Sequence, residues 1–187
     1  MNEALITHAQ LVARIERMMK AASARLHDAE LLQQTLQASA DSGYLLKLLG
    51  FEILLKALVL TTGEQPDRNH SYEEFFWVLP EAVRNRVISR AAERMSTSAD
   101  YSRVPDLLHA FGKDFIALRY SYEVYDGVSA EAYDGAARGW VNKGAPISEA
   151  TFVYPEEELV GLAFSLELEL RDWLSASGGA GRSPDVP

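Results

Sequence analysis

Apolar residues return every three or four positions along nearly the whole chain, and strict alternation is almost absent. Side chains three and four apart share one face of an α-helix, whereas a half-buried strand alternates every second residue, so the pattern predicts an all-α fold. The clearest stripe runs Val104, Leu108, Phe111, Phe115, Leu118, Tyr122 and Tyr125, stepping by four and three without a break. It predicts one continuous helix packed along a partner helix. A second run, YLLKLLGFEILLKALVL from Tyr44 to Leu60, is apolar nearly all round. That predicts a helix buried among neighbours, the hub of the domain.

Local signals set the remaining elements. A first helix is expected from about Ala4 to Ala22, with Leu5, Val12, Ile15 and Met19 on one face. RLHDAELLQQTLQASADSG continues helical to about Ala40, and Gly43 divides or kinks the chain before the hub. Gly63 reads as the cap that stops the hub, and TTGEQPDRNH as a turn-rich connector. Ser71 and Glu74 have capping-box spacing ahead of a short helix, and Pro80 suits the first position of the next. STSADYS reads as a polar loop. The glycine-rich span from Asp126 to Tyr154, with two Asp-Gly turns, predicts little regular structure. Pro155 and three glutamates open a last helix whose face is Leu159, Leu162, Leu166, Leu170 and Trp173. The expected architecture is an up-and-down helical bundle of about five to six helices, a single domain over residues 1–175 with a disordered tail over 176–187.

Composition narrows the function classes. A chain of 187 residues suffices for one core without covalent staples, and with no cysteine there are no disulfides or thiolate metal sites. Charges interrupt both the N-terminal segment and the hub run, where Lys47, Glu52 and Lys56 sit, so neither a secretion signal nor a membrane span is expected. A cytoplasmic protein is the expectation. The net charge of -9 opposes general DNA binding. Thirteen of the eighteen basic residues are arginine, the planar fork that suits local phosphate or carboxylate recognition.

Candidate chemistry gathers around Arg119, set one step from the apolar stripe between Phe115 and Tyr122. A guanidinium buried there requires a partner, because an unpaired buried charge costs several kcal/mol. Glu52 and Lys56, four apart on the hub helix, read either as a partly exposed pair or as part of a polar cluster with Arg119 and Glu123 between two core helices. His70, just ahead of the Ser71 cap, reads as a capping histidine or an acid-base group. The histidines show no metal-ligand spacing, and there is no phosphate loop or nucleophile elbow. No cofactor or metal is expected.

GFEILLKALVLTTGEQPDRNHSYEEFFWVLP, then FIALRYSYE and a closing amphipathic helix, resembles the HEPN (higher eukaryotes and prokaryotes nucleotide-binding) domain family. The likeness spans about Tyr44 to Trp173 and rests on the Glu-x-x-x-Lys hub, a His-led short helix and an Arg-Tyr helix. It implies a bundle that dimerises, and in many family members a ribonuclease, often in a toxin-antitoxin or defence setting, with the motif Arg, four to six residues, His. Arg119 lacks that histidine, with Glu123 the nearest ionisable group; the formal match is Arg103 with His109. The expectation is therefore a homodimeric module that binds a nucleotide, RNA or a protein partner through Glu52, Lys56, His70, Arg119, Tyr120 and Glu123. The alternatives are a metal-independent ribonuclease using Arg103 and His109, or Arg119 with His70, and a purely structural partner subunit.

Overall fold

The computed structural model describes residues 7–34, 40–67, 69–95, 99–146, 149–150 and 153–179. These residues form an all-α bundle with seven α-helices, more than the five to six expected, and no strand among them. The helices are α1 (His8–Gln33), α2 (Ala40–Leu60), α3 (Tyr72–Val78), α4 (Glu81–Met95), α5 (Val104–Arg119), α6 (Ala130–Asn142) and α7 (Glu156–Gly179).

α2 is the hub that its apolar circumference predicts, packing against α1, α3, α5 and α7. Tyr44, Leu48, Phe51, Leu54, Leu55 and Leu58 are all buried along it. Each such side chain contributes roughly 1.5–3 kcal/mol when fully removed from water, so this one helix anchors much of the fold. Gly50 permits the close approach of α1, since a Cβ there would lie 2.9 Å from Leu26 Cγ and 3.3 Å from the Ala22 carbonyl. Gly63 ends the helix as expected, in the left-handed region at φ 88° with its N–H on the Leu60 carbonyl.

Three boundaries differ from the sequence reading. The first two expected segments are one helix, α1, which Thr7 starts by accepting from Gln10 N–H in a full capping box. Gly43 lies inside α2 and divides nothing. α7 continues to Gly179, four residues into the expected tail, whose remainder lies outside the described residues, as does Leu5. The Leu159, Leu162, Leu166 and Leu170 face of α7 is buried as predicted.

The long stripe is correct for its first five members and fails after them. Val104, Leu108, Phe111, Phe115 and Leu118 are buried, but α5 stops at Arg119 and a 3-10 helix covers 121–125. Tyr122 there is 67 % exposed. The span expected to lack regular structure contains α6. Ser129 caps it by accepting from Ala132 N–H at 3.2 Å, and its alanines outweigh Gly135 and Gly139 in helix propensity. Of the two Asp-Gly pairs, Asp126-Gly127 makes a turn with φ 82° at the glycine, whereas Asp134-Gly135 lies within α6.

Candidate functional site

Glu52 points from the hub helix toward the connector that follows it. Its carboxylate is buried and accepts from Lys56 Nζ at 2.8 Å, His70 Nδ1 at 2.9 Å and the Tyr72 hydroxyl at 3.2 Å. The pair at four-residue spacing is therefore part of a polar cluster, with the cluster's further members drawn from the connector and α3. Lys56 also donates to the Asn69 carbonyl at 3.0 Å and lies 4.9 Å from the Phe75 ring centre. Burial, together with the neighbouring Glu52 carboxylate, pushes the Tyr72 hydroxyl well above its ordinary titration range, so it remains a donor.

The Asn69–Ser71 turn is fixed by its own side chains. Asn69 accepts from Ser71 N–H at 3.3 Å and donates to Glu74 at 3.1 Å, while Ser71 accepts from Glu74 N–H at 3.5 Å. α5 holds the turn from the other side. The Phe115 ring lies 4.7 Å from the His70 ring, and Gly112 brings the α5 backbone so close that a Cβ would sit 3.2 Å from the His70 carbonyl.

Between the turn and α5 lies an open cleft of about 520 Å³, lined by Asn69, His70, Ser71, Tyr72, Glu73, Leu108, His109, Gly112, Lys113 and Ile116. Its size is within the range of small-molecule sites. One wall is polar at the turn; the other is the α5 face on which His109, Gly112, Lys113 and Ile116 recur at helical spacing. Among the described residues His109 and Lys113 have no hydrogen-bond or ion-pair partner, so both are available to an anionic ligand. Because His70 Nδ1 faces Glu52, its Nε2 is the nitrogen left for other chemistry.

Arg119 is the main correction. The guanidinium expected inside the bundle is exposed at the end of α5, where it makes a 3.4 Å hydrogen bond to the Tyr120 hydroxyl and lies 5.4 Å from the Phe115 and Tyr120 rings. No carboxylate among the described residues pairs with it. Tyr120 and Glu123 are exposed beside it, outside the Glu52 cluster. Arg103 is also exposed, tied to Asp106 at the start of α5, and does not line the cleft that His109 enters. Of the expected site residues, Glu52, Lys56 and His70 are brought together, His109 faces the adjoining cleft, and Arg103, Arg119, Tyr120 and Glu123 stand apart.

Buried acid-guanidinium pairing does occur, but elsewhere. Glu169 of α7 is buried and accepts from Arg86 and Arg90 of α4, each at 2.8 Å. This network joins two helices and is structural in geometry. Sequence reasoning missed Tyr72 and Lys113. Lys113 was within reach of the helical pattern, lying four residues after His109; nothing in the spacing of Tyr72 tied it to Glu52. No group of three His, Asp or Glu residues among the described residues is arranged to hold a metal ion. Among the same residues, no helix is long and apolar enough to cross a membrane.

Comparison with family models, curated proteins and solved structures finds no match to this chain.

Proposed function

We propose that the chain is a HEPN-like helical module that binds a nucleotide or an RNA end in the cleft between the Asn69–Ser71 turn and α5. A single observation supports this most: His70, fixed by a buried carboxylate, shares one nucleotide-sized cleft with His109 and Lys113, both without a hydrogen-bond or ion-pair partner among the described residues. Leu108, Gly112 and Ile116 supply an apolar wall against which a base can lie, and Lys113 supplies a charge for phosphate. This local arrangement operates despite the net charge of -9, which disfavours coating of a long phosphate backbone. Dimerisation and a cytoplasmic setting belong to the same reading, from the family resemblance and the cysteine-free sequence.

Calorimetric titration with AMP and with a short 5'-phosphorylated single-stranded RNA tests the reading. Lys113→Ala and His109→Ala are expected to weaken binding by roughly tenfold each, a loss of about 1.4 kcal/mol, while Arg103→Ala and Arg119→Ala leave it unchanged. Absence of binding to either probe, or a loss confined to the two arginine variants, overturns it.

The His70–Glu52 contact also favours a second reading, a metal-independent ribonuclease. A carboxylate-oriented imidazole can take a 2'-hydroxyl proton, and a second histidine in the same cleft can protonate a leaving oxygen. Incubation with total RNA in chelator decides it: cleavage abolished in His70→Ala and in His109→Ala establishes the enzyme, and intact RNA removes it.

A further inference from the structure

On the opposite side of α5 from the cleft, two buried polar atoms face one another's helices without partners. The Tyr44 hydroxyl of α2 is fully enclosed, with Tyr44 only 2 % exposed, and neither it nor Asp114 Oδ2 of α5 has a hydrogen-bond partner among the described residues. Unsatisfied buried groups are uncommon in folded proteins because each forfeits its bonds to water. Two of them in electrostatic range of each other mark a place where the protonation state decides the packing.

The surroundings favour a neutral Asp114. From α2 it is faced by Tyr44, and from the segment before α7 by Tyr154, both within electrostatic range. Lys47 of α2 is bound to Glu156, and the Tyr154 hydroxyl donates to Asp41 at 2.6 Å. Lys113, the cation nearest along α5, lines the cleft on the helix's other side. An ionised Asp114 Oδ2 is thus enclosed without a hydrogen-bond donor among the described residues, with its one helping charge on the cleft side of the helix.

We propose that the proton on Asp114 is a latch that keeps α5 seated against α2, and that its loss lets the Gly112–Phe115 turn of α5 draw back from the His70 loop. The mechanical link is short. Gly112 abuts the His70 carbonyl, Phe115 packs on the His70 ring, and Asp114 lies between them in sequence on the same turn. An anion seeking water carries that turn with it. Burial supports the same direction, raising the Asp114 carboxyl to about 6 against an ordinary value of 3.8. The consequence for ligand affinity rests on the cleft being the site proposed above; the movement itself does not.

Hydrogen-deuterium exchange of the full chain between pH 5 and pH 7.5, corrected for intrinsic exchange rates, tests the latch. Amides of α5 around residues 108–118 are expected to lose about tenfold of their protection as pH rises, while Asp114→Asn, which mimics the protonated group, stays flat. The step persists in His109→Gln, which removes the imidazole of that helix. A flat wild-type profile, or a step retained in Asp114→Asn, overturns the proposal. Should Asp114→Asn not fold, the wild-type Asp114 carboxyl 13C resonance provides the check, since its midpoint must coincide with the exchange step and a mismatch overturns the latch. An exchange step in a protein that binds neither AMP nor RNA supports the latch and removes the cleft reading.

Discussion

Substituting Glu52 tests the proposed organisation directly. The carboxylate is buried and serves three donors: Lys56 at 2.8 Å, His70 at 2.9 Å and Tyr72 at 3.2 Å. Glu52→Ala removes the acceptor, leaves a void and strands the Lys56 ammonium and the Tyr72 hydroxyl, so the expected cost is about 3–5 kcal/mol. Glu52→Gln keeps the volume but not the charge, and its one carbonyl oxygen cannot serve three donors. About 2 kcal/mol is expected for it. Against a total stability of 5–15 kcal/mol typical of such a domain, the alanine variant approaches the folding threshold. Urea unfolding followed by circular dichroism reads both losses as a lowered midpoint at constant slope. Arg119→Ala, by contrast, is expected to remain within about 0.5 kcal/mol of wild type, as exposed substitutions do. A Glu52→Ala cost below 1 kcal/mol, or an Arg119→Ala cost above that of Glu52→Gln, refutes the assignment of the cluster.

Two further predictions concern packing and pH. Gly161→Ala places a methyl against the Tyr101 hydroxyl and 2.7 Å from Met95 Cγ, so it is expected to cost about 1–3 kcal/mol in the same unfolding assay, with part of the loss recovered by adding Tyr101→Phe. For Asp114, a carboxyl that binds its proton more tightly when folded contributes stability below its unfolded value of 3.8 and loses it as pH rises to about 6. At ~1.4 kcal/mol per pH unit the displacement sets a ceiling near 3 kcal/mol; screening of this half-buried group reduces that to about 1–2 kcal/mol. Asp114→Asn should therefore unfold at a higher temperature than wild type at pH 7, a difference that closes by pH 4 and whose absence at pH 7 counts against the buried carboxyl.

The helices that could be read from sequence were those with a repeating stripe and a chemical stop. α2 had both, since its apolar circumference fixed its burial and Gly63 its end. α5 had the stripe alone. No glycine or proline marks its end, which Tyr120 makes by leaving the helical region at φ -133° and ψ 46°. The apolar pattern runs on through Tyr122 and Tyr125 because tyrosine tolerates water at its hydroxyl end, and from pattern alone the continuation looked like more core. That misreading placed Arg119 inside the bundle. The Glu52 cluster was half visible: four-residue spacing revealed Lys56, but His70 and Tyr72 arrive by way of a connector whose path no periodicity records. α6 was hidden by two glycines that normally mark turns and that here sit in a helix stabilised by its cap and alanines.

α6 has no buried residue, while α7 and the segment before it are pinned to α2 by Lys47 with Glu156 and by Asp41 with Tyr154. The bundle therefore does not rely on α6 for cohesion, and natural variation can lengthen, recolour or replace this excursion with little thermodynamic resistance. That stretch is where exchanging or inserting residues is expected to disturb the core least.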